Sequence, residues 1–247
     1  MALLSRAIRR GLAAAFSVLA CASAFAQPFT PALYLPIAAS VVRVEAEVDG
    51  GRVSLGSGVT VAPSVVATNC HVVRDAVDIR VSGGGTTLPV DAERGDSRLD
   101  VCLLRVPGWT GRPVSLAAED TAPEPGDTVV ALGFTGGAAI RPQPGNVRAV
   151  HAFQGGQVIE SDAPFNSGSS GGGLFDDEGA MVGLLAFRMR NSVVSYYALP
   201  VAWIRDTIAR EEAWHDVGPM HGAAPFWQGA GEELPAFLRA GRSAREE

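Results

Sequence analysis

Three short segments carry residue types that together can perform nucleophilic chemistry. The first is Gly168-Ser169-Ser170-Gly171-Gly172. A serine hydroxyl is a weak nucleophile near neutral pH. It needs a base beside it and donors aimed at the oxyanion that develops. Glycines on both sides permit a tight turn, which can point the N–H groups of Gly168 and Ser170 at one spot. By itself this run reads equally well as a flexible Gly/Ser loop. The second segment is Thr68-Asn69-Cys70-His71-Val72-Val73. Here His71 follows an apolar strand and opens what reads as one helical turn. The third is Leu99-Asp100-Val101-Cys102-Leu103-Leu104. An aspartate heading an apolar strand is costly without partners, and a histidine Nδ1–H is a natural one. A turn-forming Asp just outside the sheet is the plainer reading of that segment alone. His151, His215 and His221 have no comparable setting and receive no role.

These segments sit among elements with a period of two. In Val41–Val48 apolar residues take every second place and charges fill the gaps, which describes a half-buried strand. Asp49-Gly50-Gly51 is a turn, followed by strands over Arg52–Val61 and Val65–Thr68. Strands over Ile79–Val81 and Thr86–Val90 flank Gly83-Gly84-Gly85, and Val101–Val106 closes this first cluster. A Pro/Gly-rich connector runs over 107–126. Strands resume at Thr128–Leu132, Asn146–His151, Gln157–Ser161, Gly173–Phe175, Met181–Phe187 and Val193–Leu199. Two clusters of short strands with frequent turns predict two small barrels or sandwiches. After Pro200, Val201, Ile204 and Ile208 recur at helical spacing and predict a helix lasting to about Trp214. Residues 215–247 read as a partly ordered tail, with a short helix at Glu232–Arg239.

The N-terminus has the layout of a targeting segment. Arg6, Arg9 and Arg10 form a basic region, Gly11–Ala22 is apolar, and Ala24-Phe25-Ala26 is a cleavage site before Gln27. The expectation is a signal peptide over 1–26 and a mature chain that is periplasmic or secreted. An uncleaved anchor helix, or a lipoprotein joined through Cys21, are the other readings of the same residues. No later stretch approaches the ~18 apolar residues of a membrane span. The formal charge of −6 and the complete lack of Lys argue against nucleic-acid binding. Removal of Cys21 with the signal leaves Cys70 and Cys102 in an oxidising compartment. A His71–Asp100 hydrogen bond would bring their segments side by side, so a Cys70–Cys102 disulfide is expected. Two reduced buried thiols are the alternative.

The chain resembles the trypsin-like serine peptidases and, within them, the HtrA-type bacterial branch. Gly56-Ser57-Gly58-Val59, followed by Ala67–Val73, is similar to that branch's GSG…TNxHVV segment. Asp100–Leu104 is similar to its aspartate strand, and Gly126–Gly133 to its GD-x-V-x-A-(I/L)-G strand. Ser161-Asp162-Ala163 with Asn166–Leu174 resembles its TDAxINPGNSGGPL block. The likeness covers about residues 38–205 and keeps the order His, Asp, Ser. Three departures lie near the nucleophile: Ser167 and Gly173 stand where Pro is usual, and Ser169 where Asn is usual.

The resemblance implies an all-β fold of two six-stranded antiparallel barrels of chymotrypsin type, with a C-terminal helix. The divisions expected are an N-terminal segment at 27–37, barrel one at about 38–115, barrel two at about 120–200, the helix at about 201–214 and the tail at 215–247. It further implies Ser170 as nucleophile, His71 as general base, Asp100 as the group that orients His71, and an oxyanion hole from the N–H groups of Gly168 and Ser170. Protein or peptide substrates are the expected partners. No metal or organic cofactor is required, and no His, Cys or carboxylate cluster has metal-ligand spacing. A protease domain without the branch's PDZ modules is the expectation.

Pro164, followed by Phe165, stands where the trypsin subclass carries a pocket aspartate, so small or medium apolar side chains are expected before the scissile bond. Ser169 replaces the aspartate that pairs with a new N-terminus in digestive relatives, so no zymogen switch of that kind is expected. A catalytically silent binding module on the same fold is the rival from another class. An esterase is a third reading, although the segment after Ser170 reads as strand, unlike an α/β-hydrolase elbow.

Overall fold

Val42, Val44 and Ala46 are buried along one face of strand β1 (Val41–Val48), while Arg43, Glu45 and Glu47 alternate with them on the other. The computed structural model describes residues 29–118, 121–136, 139–190, 193–218 and 222–239. The signal segment at 1–26, with Cys21, lies outside the described residues, as does His221. Helix α1 (Pro31–Ala38) comes first, within the segment read as the N-terminal extension. After β1 come β2 (Arg52–Ala62), β3 (Val65–Thr68), the single turn α2 (Cys70–Val73), β4 (Ala76–Gly83), β5 (Thr86–Pro89), β6 (Ala92–Asp96) and β7 (Val101–Arg105). The second cluster holds β8 (Thr128–Leu132), β9 (Phe134–Thr135), β10 (Ala139–Ile140), β11 (Gln143–Phe153), β12 (Gly156–Ser161), β13 (Gly173–Phe175), β14 (Met181–Arg190) and β15 (Val194–Pro200). Helix α3 (Val201–Ala209), strand β16 (His215–Asp216) and helix α4 (Ala236–Arg239) follow.

The second cluster closes into a six-stranded barrel in the order β11-β12-β15-β14-β13-β8. The first curls into an eight-stranded sheet, β16-β6-β7-β3-β2-β1-β4-β5, whose edges β16 and β5 stay apart. All of its pairings are antiparallel. This is the all-β, chymotrypsin-like class expected. Strand β16, supplied by the tail, pairs with β6 through His215 opposite Glu93 and extends the sheet at that edge.

Helix α3 stops at Ala209, short of Trp214, because Arg210 is already extended. Its end is closed from the first sheet. The Arg94 guanidinium donates to the carbonyls of Ile208 at 2.8 Å and Arg210 at 2.9 Å, satisfying orphan acceptors of the last turn. Three apolar clusters fill the interior: one in the first sheet, one in the second barrel, and a larger one in which residues of both sheets meet α3 and the tail. The catalytic candidates lie where the two sheets face each other.

Candidate active site

Residue Ser57, at the centre of the Gly56-Ser57-Gly58 triplet, joins the two sheets. Its N–H donates to the Ser170 carbonyl at 2.8 Å. Its hydroxyl donates to the Gly168 carbonyl at 2.7 Å and accepts the Phe134 N–H at 2.8 Å. Its own carbonyl accepts the Thr68 hydroxyl at 2.7 Å. The flanking glycines admit this crowding, since a Cβ on Gly58 would sit 2.5 Å from Val66 Cγ1. Gly171 is required twice over. Its φ of 85° is left-handed, and a Cβ there would collide with the Ser57 carbonyl and the Thr68 hydroxyl.

Within the run Gly168–Gly172 the donors divide in two. The Ser169 N–H closes a turn onto the Asn166 carbonyl, the Gly171 N–H reaches Leu185, and the Gly172 N–H returns to Ser169. The Gly168 and Ser170 N–H groups bond to nothing among the described residues. The Ser167 carbonyl accepts the Gly136 N–H at 2.9 Å. Across a trans peptide the C=O and the following N–H point oppositely, so the Gly168 N–H faces away from Gly136. The Ser169 side chain is buried, its hydroxyl 3.3 Å from that of Thr135. Arg188 on β14 holds the start of the loop by donating to Asn166 Oδ1 at 2.9 Å.

On the opposite side, the Asp100 carboxylate is wholly buried and accepts three donors. The His71 backbone N–H reaches Oδ1 at 2.9 Å, and His71 Nδ1 lies 2.7 Å from Oδ2. The third is the indole N–H of Trp227, 3.2 Å from Oδ2. Asp100 has a φ of 64°, unusual for a residue with a side chain, and its carbonyl is fixed by Asn69 Nδ2 at 3.0 Å. Cys70 and Cys102 are bonded, with their Cα atoms 4.9 Å apart, so the residue before His71 is fastened to the strand that starts beside Asp100.

The Ser170 hydroxyl donates to the Ala186 carbonyl at 3.1 Å. The next residue, Phe187, stacks on Trp227 at 4.9 Å, and Trp227 meets the His71 ring edge-on at 5.4 Å. Ser170 and His71 are thus linked through a short series of contacts. Of the residues expected to line the substrate pocket, Pro164 is exposed and borders a cavity of about 400 Å³ with Thr135, Arg141 and Asn166. Phe165 is buried in the core of the second barrel, 5.2 Å from the Tyr196 ring, and so lies behind that lining. The apolar ring gains more from the core than a water-facing pocket offers it. Among the described residues no group of three or more His, Cys, Asp or Glu could hold a metal ion.

Trp227 was not among the sequence candidates, because a lone Trp in a Gly/Pro-rich tail carries no periodicity or motif. Ser57 lay inside a recognised motif, yet nothing in that motif states that it bonds the Gly168–Gly172 loop.

The trypsin-like peptidase domain family matches residues 56–184, which is more than half of the chain. The chain belongs to this family. Similar trypsin-like relatives include the serine protease Rv3671c of Mycobacterium tuberculosis, 26% identical over 178 residues that make up 68% of this chain and 44% of that protein. The anti-sigma-I factor RsgI9 of Acetivibrio thermocellus is 30% identical over 183 residues, 72% of this chain and 26% of its own length. The chain therefore spans less than half the length of either relative. Among solved structures, the active form of the Rv3671c protease aligns with a TM-score of 0.70 at 25% identity, covering 76% of this chain and 87% of that one. Its inactive form aligns with a TM-score of 0.64. The HtrA-type protease AlgW with a bound tripeptide shares the fold, with a TM-score of 0.64 at 24% identity.

Proposed function

We propose that the chain is an exported serine endopeptidase that cleaves proteins through an acyl-enzyme, with Ser170 as nucleophile, His71 as general base and Asp100 as its orienting partner. The observation that carries this reading is the two-point bond between Asp100 and His71. One carboxylate oxygen takes the backbone N–H and the other faces Nδ1, which leaves Nε2 as the ring atom for catalysis. Rotation of the Ser170 side chain to another staggered well releases its hydroxyl from Ala186 and turns it toward His71. His71 then takes the proton as Ser170 attacks the carbonyl. The unpartnered N–H groups of Gly168 and Ser170 receive the oxyanion, and the protonated His71 delivers its proton to the leaving amine. Water repeats the cycle on the ester.

Among its described lining residues the pocket beside Pro164 has no carboxylate and includes Arg141, so a basic side chain there meets a like charge. Small or medium apolar residues before the scissile bond fit better. Burial of the Ser169 hydroxyl against Thr135 supports a nucleophile loop ordered without an N-terminal ammonium. Export rests on the N-terminal signal pattern and on the Cys70–Cys102 bond.

The test is a digest of an unfolded protein by the mature chain, with Ser170→Ala as control, fluorophosphonate labelling in parallel and sequencing of the new termini. Labelling of the parent alone, with cuts after Val, Ala, Leu or Met, is expected. Absence of both labelling and cleavage would indicate a silent binding module. Cuts confined to Arg sites would overturn the pocket assignment.

A further inference from the structure

The tail after α3 is anchored at both ends and crosses the catalytic candidates between them. It leaves the first sheet through β16, paired with β6. Arg74, next to α2, donates to the Ala223 carbonyl at 3.0 Å, and the Phe226 N–H donates to the Arg98 carbonyl at 2.9 Å, two residues before Asp100. The Phe226 ring is buried against Phe153 of the second barrel at 4.7 Å. Farther on, Leu234 and Leu238 are buried and Phe237 stacks flat on His151 at 4.4 Å.

Trp227 hangs from this strap between the two sheets. One face stacks on Phe187 of β14, and its ring meets His71 nearly at a right angle, 86° between planes. Its N–H ends 3.2 Å from Asp100 Oδ2, the same oxygen that faces His71 Nδ1. A fully buried carboxylate needs its lone pairs filled, and a donor shared at one oxygen limits how far that oxygen can tilt. The indole is rigid, stacked on Phe187 and set against the His71 ring, so the donor arrives preorganised.

We propose that Trp227 is a positioning residue: its indole N–H fixes the Asp100 carboxylate, and through it the His71 ring, which makes the tail over residues 222–239 a working part of the catalytic centre. This rests on the serine-peptidase reading above. Trp227 acts through Asp100 and His71.

Trp227→Phe keeps a ring to stack on Phe187 and removes the N–H, and Trp227→Ala removes both. Both are made in the full mature chain and compared with the parent for steady-state hydrolysis of a cleaved peptide and for thermal melting. The proton NMR resonance of His71 Nδ1–H is recorded without substrate and assigned by its loss in His71→Ala. Trp227→Phe is expected to melt near the parent and keep its KM. Its kcat should fall about 10- to 100-fold, the rate equivalent of one hydrogen bond to a charged group, and the Nδ1 proton resonance should move. Trp227→Ala should lose more activity and melt lower. Full kcat with an unmoved resonance in Trp227→Phe would overturn the proposal and leave the tail as packing alone. A rise in kcat in either variant would overturn it in favour of a tail that obstructs the cleft. An inactive, unlabelled parent defeats the serine-peptidase reading instead, and the resonance then still decides whether Trp227 governs the pair.

Discussion

The Ser57 hydroxyl, in the first sheet, donates to the carbonyl of Gly168, in the Gly168–Gly172 loop of the second, at 2.7 Å. The same oxygen accepts the Phe134 N–H. Ser57→Ala leaves both backbone groups without this partner, at a position wholly closed to water. A loss of stability of about 1–3 kcal/mol is expected from the unmade bonds. The Gly168 peptide, freed on one side, should also hold the oxyanion less well. Urea denaturation and steady-state kinetics of one preparation check this. A parent-like midpoint together with parent-like kcat would show that the joint between the sheets does not depend on the hydroxyl.

Ser170→Ala and His71→Ala remove the proposed nucleophile and its proposed base. Each should reduce peptide turnover by about 10⁴-fold or more, and the double variant should be little worse than either single one, because the groups act as a unit. Purified variants free of parent enzyme are assayed side by side. Near-normal turnover in either single variant would disprove its assignment.

Cys70 and Cys102 enclose a loop that contains both His71 and Asp100. Opening it by Cys70→Ala with Cys102→Ala should destabilise the protein by about 2–5 kcal/mol. Activity should suffer as well, since the bond anchors the segments that present His71 and Asp100. Denaturant midpoints with and without reductant provide the measurement. A parent protein indifferent to reductant, with two titratable thiols, would count against the bond.

Glu93 lies under β16, opposite His215, with one carboxyl oxygen lacking a partner among the described residues. Burial pushes its pKa from 4.5 up to about 7, and a backbone hydrogen bond from Gly218 offsets part of that rise. The folded state thus holds this proton more tightly than the unfolded state. Its contribution to stability is fully present below 4.5, declines as pH rises between 4.5 and about 7, and is gone above. Glu93→Gln should therefore stabilise the protein at pH 8, on the order of 1–3 kcal/mol, and change little at pH 4. Urea midpoints at the two pH values test this. A gain that is equal at both would mean that the charge is not the cause.

The alternation in Val41–Val48 determined β1 and its buried face, because a strand's side chains alternate regardless of what lies beyond it. The runs around His71, Asp100 and Ser170 likewise marked those residues as candidates, since the residue types, the glycines and the chain order are local facts. Cys70 and Cys102 could be paired because each sits beside a member of a hydrogen-bonded pair. Only the tertiary structure decided that the Ser170 hydroxyl rests on Ala186 and that the first sheet stays open while the second closes. It alone brought Ser57 to the Gly168 carbonyl and buried Phe165 behind the pocket. Another such contact joins Trp227 to Asp100, across 127 positions of chain. A contact of that separation leaves no periodic trace in either segment. It exists because a buried carboxylate must fill its lone pairs, and the folded tail carries an N–H to Asp100 Oδ2.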